Sequence, residues 1–277
     1  MKKLFSLCLM LCLWPLVCGF TNSAGTVMYS SGAVVEVVSI KYTEEDAQKI
    51  GQTFSVLDAK MKSIADLEKF AVKSKIIEKL AASPSLNPQT AAETISVDAG
   101  VTAGNGFATL SVIVTFTDKD VWGVFQEDVA KSTTNTLEET LFLKTYTTVM
   151  PLRLSTFDNG TEKQNLYDFV LSDVKTRLKS SFVGVDTLFT GEYSYTYASS
   201  VKRLHTDADV VETAQDTNLT YYTWNFSGDE DAIITIWQVR ANAVSWYVLA
   251  LVLTAGFGLG LWIASRKKQS KSVPENS

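Results

Sequence analysis

Cysteine is almost missing from this chain: there are three, Cys8, Cys12 and Cys18, all within the first eighteen positions. From Gly19 onward no thiol exists, so neither a disulfide framework nor a cysteine nucleophile is open to the rest of the chain. Secreted animal ectodomains are commonly stapled by disulfides, and an exported body without one points instead to a bacterial envelope, held by an ordinary core. Histidine is scarcer still, with His205 alone. No Gly-x-Ser-x-Gly elbow accompanies it, which leaves a serine-hydrolase reading without its nucleophile turn. Ahead of the last apolar run stands Ile236-Trp237-Gln238-Val239-Arg240 rather than a Leu-Pro-x-Thr-Gly sorting signal. Val17 before Cys18 and Leu11 before Cys12 are a poor lipidation pattern. Between Arg240 and Arg266 there is no charge at all.

That last absence defines the feature around which the chain is read. The run ANAVSWYVLALVLTAGFGLGLWIAS, residues 241–265, is long enough as a helix to cross a hydrocarbon layer of about 30 Å with some tilt. Trp246 and Tyr247 near one end and Trp262 near the other suit the headgroup level, and Arg266-Lys267-Lys268 follows at once. The basic side stays in the cytoplasm by the positive-inside rule, which places the preceding body across the membrane. At the other end, Lys2-Lys3 followed by LFSLCLMLCLWPLVCGF has the form of a secretory signal, with exits near Val17 and Gly19 or at Ala24. The expected organisation is a signal at 1–22, an extracytoplasmic body at 25–240 of one large domain or two small ones, a membrane helix at 243–265 and a cytoplasmic tail at 266–277. The formal net charge is -5, but setting aside six basic residues and one acidic residue at the two ends leaves 19 basic against 29 acidic groups. A body near -10 repels nucleic acid and anionic headgroups at long range, so neither is expected as a general partner of the body.

Within the body the periodicity alternates between two kinds. Residues 32–42 form a β-branched run, read as the first strand. Thr43 three residues ahead of Asp46 resembles a capping box, and Ile50, Phe54, Leu57, Met61 and Ile64 recur at helical spacing, continuing through Leu67, Phe70, Ala71, Ile77 and Leu80. One helix, or two broken near Ser63, fit this pattern. Residues 94–116 alternate about Gly104-Asn105-Gly106 as a hairpin. A short helix at 118–126, a strand around Thr140–Thr147 ended by Pro151, and a turn at Asp158-Asn159-Gly160 follow. A helix begun by a Thr161/Gln164 box carries Leu166, Phe169, Val170, Val174 and Leu178. Strands at 193–197, 219–226 and 233–239 close the body, with a polar loop through His205. Hairpins mixed with helices predict an α+β fold, helices packed on a mainly antiparallel sheet, plus the C-terminal transmembrane helix.

Late in the chain, Tyr195-Thr196-Tyr197-Ala198, Arg203-Leu204-His205-Thr206-Asp207-Ala208, Tyr222-Thr223-Trp224-Asn225-Phe226 and Asn242 ahead of Trp246-Tyr247 resemble the end of LppM-type bacterial envelope domains. The resemblance covers the final third, and the order of elements before it. It implies a signal, an α+β exterior domain and a C-terminal span, and it brings no catalytic residues. The poor lipidation pattern is a departure, so lipid anchoring does not carry over.

Three groups of side chains invite a chemical reading. His205, Asp207 and Asp209 would share one face of an extended strand and offer a divalent cation an imidazole and two carboxylates, and with them a metal-dependent hydrolase. Against this stand the lack of a second histidine and the ease with which such residues make a solvated loop. Tyr195 and Tyr197, with Tyr222 and Trp224 on a neighbouring strand, would give a lipid or glycan a stacking surface, or pack as a sheet face. Gly256 and Gly260 lie four apart on one face of the membrane helix and would admit a second helix closely. The expectation is a non-catalytic, single-pass envelope protein without a cofactor, whose body binds or assembles at the outer face. Its expected partners are the membrane, a second copy or other envelope proteins, and, in a carrier reading, a lipid or glycolipid.

Overall fold

Strand β1 (Asn22–Met28) opens the described chain and pairs antiparallel with β2 (Val34–Thr43), from Asn22 opposite Ile40 to Met28 opposite Val34. The structure, a computed structural model, describes residues 22–29, 31–84, 86–126, 134–151, 157–158, 163–189, 193–199, 204–214, 219–226 and 233–270. Val34, Val35, Val37, Val38 and Ile40 suit β2 to burial on both faces, and all are buried. Thr43 then caps helix α1 (Glu44–Lys49): its hydroxyl accepts from Asp46 N, and an Asp46 carboxylate oxygen accepts from Thr43 N.

Helix α2 (Phe54–Ala81) follows and runs unbroken through Ser63, so of the two readings of that stretch the single helix holds, and the break lies earlier, between Lys49 and Phe54. Gly51 adopts φ +68°, which a Cβ would strain, so the chain turns there. Beyond it come α3 (Pro88–Glu93), then β3 (Ile95–Ala103) and β4 (Phe107–Phe116), the expected hairpin, with Gly106 at φ +81° in its turn. α4 (Lys119–Phe125), capped by Asp118, sends Val121 and Phe125 into the core.

β5 (Thr134–Glu139) and β6 (Leu143–Pro151) pair about a turn at 140–142, so Thr140 lies outside the strand it was expected to begin. Short β7 (Phe157–Asp158) and β8 (Lys163–Gln164) pair next; the expected turn residues Asn159 and Gly160 lie outside the described residues. α5 (Leu166–Lys179) starts later than a Thr161 cap implied. Asn165 Oδ1 accepts from Asp168 N at 2.8 Å, so Asn165 is the N-cap and satisfies a first-turn donor of the helix. Gln164 belongs to β8 instead, and Thr161 is outside the described residues.

β9 (Tyr193–Ser199), β10 (Leu204–Thr206), β11 (Val210–Ala214), β12 (Leu219–Phe226) and β13 (Ile233–Ala241) complete the body, and Asn242 alone separates β13 from α6 (Ala243–Ser270). The strands form a seven-stranded sheet in the order β11-β12-β9-β1-β2-β4-β3 and a four-stranded sheet in the order β10-β13-β6-β5. Only β1 with β9 is parallel among the pairs of these sheets. The fold is α+β and mainly antiparallel, as expected, but it carries a second sheet, and β1, β5, β10 and β11, with the short β7 and β8, stand where the sequence predicts no strand.

The main core lies between the large sheet and its helices. Val34, Val38 and Ile40 of β2 and Leu110, Val112, Val114 and Phe116 of β4 meet Leu57, Met61, Ile64, Val72, Ile76 and Leu80 of α2 and Leu166, Val170, Val174 and Leu178 of α5. Each large apolar side chain so buried contributes roughly 1.5–3 kcal/mol. The α2 stripe departs from the sequence reading after Ile64. Ala65, Glu68 and Val72 turn inward, while Leu67 and Phe70 face out, Phe70 with 74% of its surface exposed. A carboxyl occupies the inward position where the pattern called for an apolar side chain, and the summed burial of the stripe outweighs that one misfit.

Candidate functional site

The face of the large sheet that meets α2 continues onto β9 and β12, where it is aromatic. Register places Tyr195 opposite Trp224 and Tyr197 opposite Tyr222, with ring centroids 6.1 and 6.5 Å apart. Ile234 and Ile236 of β13 pack on this ladder together with Ala208 and Phe226. Tyr222 and Trp224 are buried, and Tyr195 and Tyr197 are half-buried. Tyr195 Oη donates to Thr26 Oγ1 at 2.9 Å, and burial pushes the ionisation of both tyrosines up. The four aromatics singled out from sequence are therefore brought together, at the junction where the second sheet seats on the first.

Asp207 fastens that junction. Its Oδ1 accepts from the Trp224 indole Nε1 at 2.7 Å and from Thr235 N at 3.0 Å, while Asp209 Oδ2 accepts from Asn225 N at 2.7 Å. β10 ends at Thr206, so His205, Asp207 and Asp209 do not run along a single strand face. His205 sits opposite Trp237 in the β10–β13 ladder, and its side chain lies outside the described residues. Among the described residues no group of three or more His, Cys, Asp or Glu side chains gathers as a cation site.

Two buried carboxyls carried no signal that the sequence reading used. Glu36, on the helix-covered face of β2, accepts at Oε1 from Trp122 Nε1 at 2.8 Å and Gln126 Nε2 at 2.5 Å, and burial raises its pKa against those two bonds. Glu68 is fully buried between α2 and α5. Arg177 Nε donates to Glu68 Oε1 at 3.1 Å and to Asp173 Oδ2 at 2.7 Å. Burial first, and the neighbouring Asp173 carboxyl second, lift Glu68 to about 8, with Arg177 opposing them.

The third constellation is the joint between body and helix. In the β6–β13 ladder Leu143 stands opposite Ala241, which brings the 140–142 turn alongside the start of α6. Asn242 N donates to Phe142 O at 2.7 Å and Asn242 Nδ2 to Thr140 O at 3.3 Å, and the Phe142 and Trp246 rings lie 5.0 Å apart. From Ala243 to Ala264 the helix is apolar and none of it is buried against the body. Those 22 residues rise ~33 Å, enough for a bilayer's apolar layer. Thr254, a polar residue in the middle of this stretch, returns its hydroxyl to Ala250 O at 2.7 Å, which satisfies it within the helix. Arg266 lies over the Trp262 ring at 4.3 Å. A Cβ added at Gly256 or Gly260 would meet nothing within 4 Å, so both sites face open space.

No protein-family model matches this chain, and no curated protein matches it. Among solved structures, the NMR structure of the folded domain of LppM from Mycobacterium tuberculosis is similar, with 6% sequence identity over 81% of this chain and 91% of that one, at a TM-score of 0.29. This is a weak structural resemblance.

Proposed function

We infer that this chain is a single-pass protein of a bacterial cell membrane, its α+β body on the outer side and its basic tail in the cytoplasm. The body acts by binding or assembly rather than catalysis. The observation that carries the reading is the joint: an apolar helix of membrane-spanning length continues from a core strand with one residue between them. Arg266 at the far end of that helix supports the orientation. The aromatic ladder, the Asp207 bonds and the acidic surface support a body built to hold its shape and meet another macromolecule.

Expression in a bacterial host gives the test. Protease added to intact spheroplasts is expected to digest the body and leave a tag after Ser277 protected, while lysis exposes the tag. A body protected in spheroplasts, or a chain recovered in the soluble fraction, refutes the placement.

A further inference from the structure

The 140–142 turn is unusual for its composition and its position together. Leu141 is 69% exposed and Leu143 46%, and Phe142 contacts the Trp246 ring of the membrane helix. Turns on a water-facing hairpin are ordinarily polar, and adjacent exposed apolar residues mark a contact surface. The turn is also held at a fixed height. Asn242 bonds it at Phe142 O and Thr140 O, immediately before Ala243, where the apolar stretch of α6 begins. Whatever depth the bilayer imposes on the first turn of α6, the hairpin tip shares it. Charges withdraw from the tip by one step: Glu139 and Lys144 pair across the hairpin at 2.6 Å, and Arg240 lies opposite Lys144 in the next ladder, over the Tyr146 ring.

We propose that the turn Thr140-Leu141-Phe142 is a second membrane contact, seated in the headgroup layer of the same leaflet that α6 enters. Leu141 and Phe142 enter the upper acyl region beside Trp246 and Tyr247, while Lys144 and Arg240 stand at the height of lipid phosphates. The four-stranded sheet then meets the bilayer at two points instead of one, which fixes the tilt of the body above the surface. This rests on α6 being a span, and the occupant is lipid because the turn is bonded to the residue at which the chain enters the bilayer.

The test uses the full chain, with Cys8, Cys12 and Cys18 replaced by Ala, in vesicles of phosphatidylcholine and phosphatidylglycerol. A nitroxide is attached to one cysteine at a time: Leu141→Cys, Phe257→Cys within the helix, and Val183→Cys on an exposed loop of the body. Collision with oxygen, which concentrates in lipid, is compared with collision with a water-soluble nickel chelate. The Leu141 label is expected to show an oxygen-to-nickel ratio several-fold above that of Val183 and below that of Phe257. A Leu141 ratio equal to Val183 overturns the proposal while leaving the span intact. A Leu141 label shielded from both reagents also overturns it, in favour of a protein covering the turn. Nickel access at Phe257 removes the span and the proposal with it.

Discussion

Glu68 ties the stability of the body to pH. The folded state holds its proton up to about 8, whereas an unfolded chain releases it near the ordinary glutamate value of 4.5. Between those limits the unfolded state binds fewer protons than the folded one, so stability is greatest below the window and falls as pH rises through it, by at most ~1.4 kcal/mol per unit. The chemical-denaturation midpoint is expected to be higher at pH 5 than at pH 8. In Glu68→Gln part of that difference should vanish, with a gain at pH 8, and the remainder belongs to Glu36, whose pKa burial also raises; a variant with the parent's pH dependence would remove Glu68 as a source. Asp207 makes a different kind of prediction. Asp207→Ala strands the Trp224 indole and is expected to cost ~1.5–3 kcal/mol in urea unfolding, whereas Asp207→Asn keeps an acceptor and should cost less. Chelator should leave both midpoints where they were; a chelator-sensitive midpoint in the parent would return Asp207 to a cation site. Neither role is written in the residue type. Glu68 lies in a stripe that sequence periodicity assigns to Leu67 and Phe70, and only the packing of α5 onto α2 gives its burial a partner in Arg177.

Strand β1 is the element whose position has the most consequence. It lies in the middle of the large sheet, antiparallel to β2 and parallel to β9. A signal exit at Ala24 would cut it; an exit upstream of Asn22 leaves every pairing in place. Amino-terminal sequencing of the mature protein is expected to read a start at or before Asn22, and a start at Gly25 would contradict the register. Gly25 is fixed by the same pairing, since an added Cβ would come within 2.9 Å of Thr196 O in β9. Gly25→Val should therefore destabilise by more than ~1 kcal/mol, seen as a lowered Tm. Elements whose signal is local were readable in advance: the Thr43–Asp46 box, the turn at Gly104-Asn105-Gly106, the stripe Leu166, Val170, Val174, Leu178. Elements that depend on a distant partner were not. Asn22-Ser23-Ala24-Gly25 is too small and polar to advertise a central strand. Thr140 to Thr147 reads as one β run, because the pairing that folds 140–142 back as a turn involves β5 and β13.

For the whole molecule, the readable part was the long apolar C-terminal helix and the unreadable part was the joint. The charge-free run from 241 to 265 announces an apolar helix by composition alone, but Asn242 as a clasp and Phe142 against Trp246 require the second sheet to exist. If the Gly256/Gly260 face associates in the membrane, Gly256→Leu with Gly260→Leu should weaken the dimerisation constant about tenfold, equivalent to ~1.4 kcal/mol of lost helix packing, seen as a lowered dimer fraction in intact-membrane cross-linking. An unchanged dimer fraction would assign association to the body. One residue between β13 and α6, held at both its amide and its side chain, leaves no swivel between the body and the apolar rod. Any torque that turns the body about the axis of α6 must therefore turn the rod with it, and so re-aims the open face at Gly256 and Gly260.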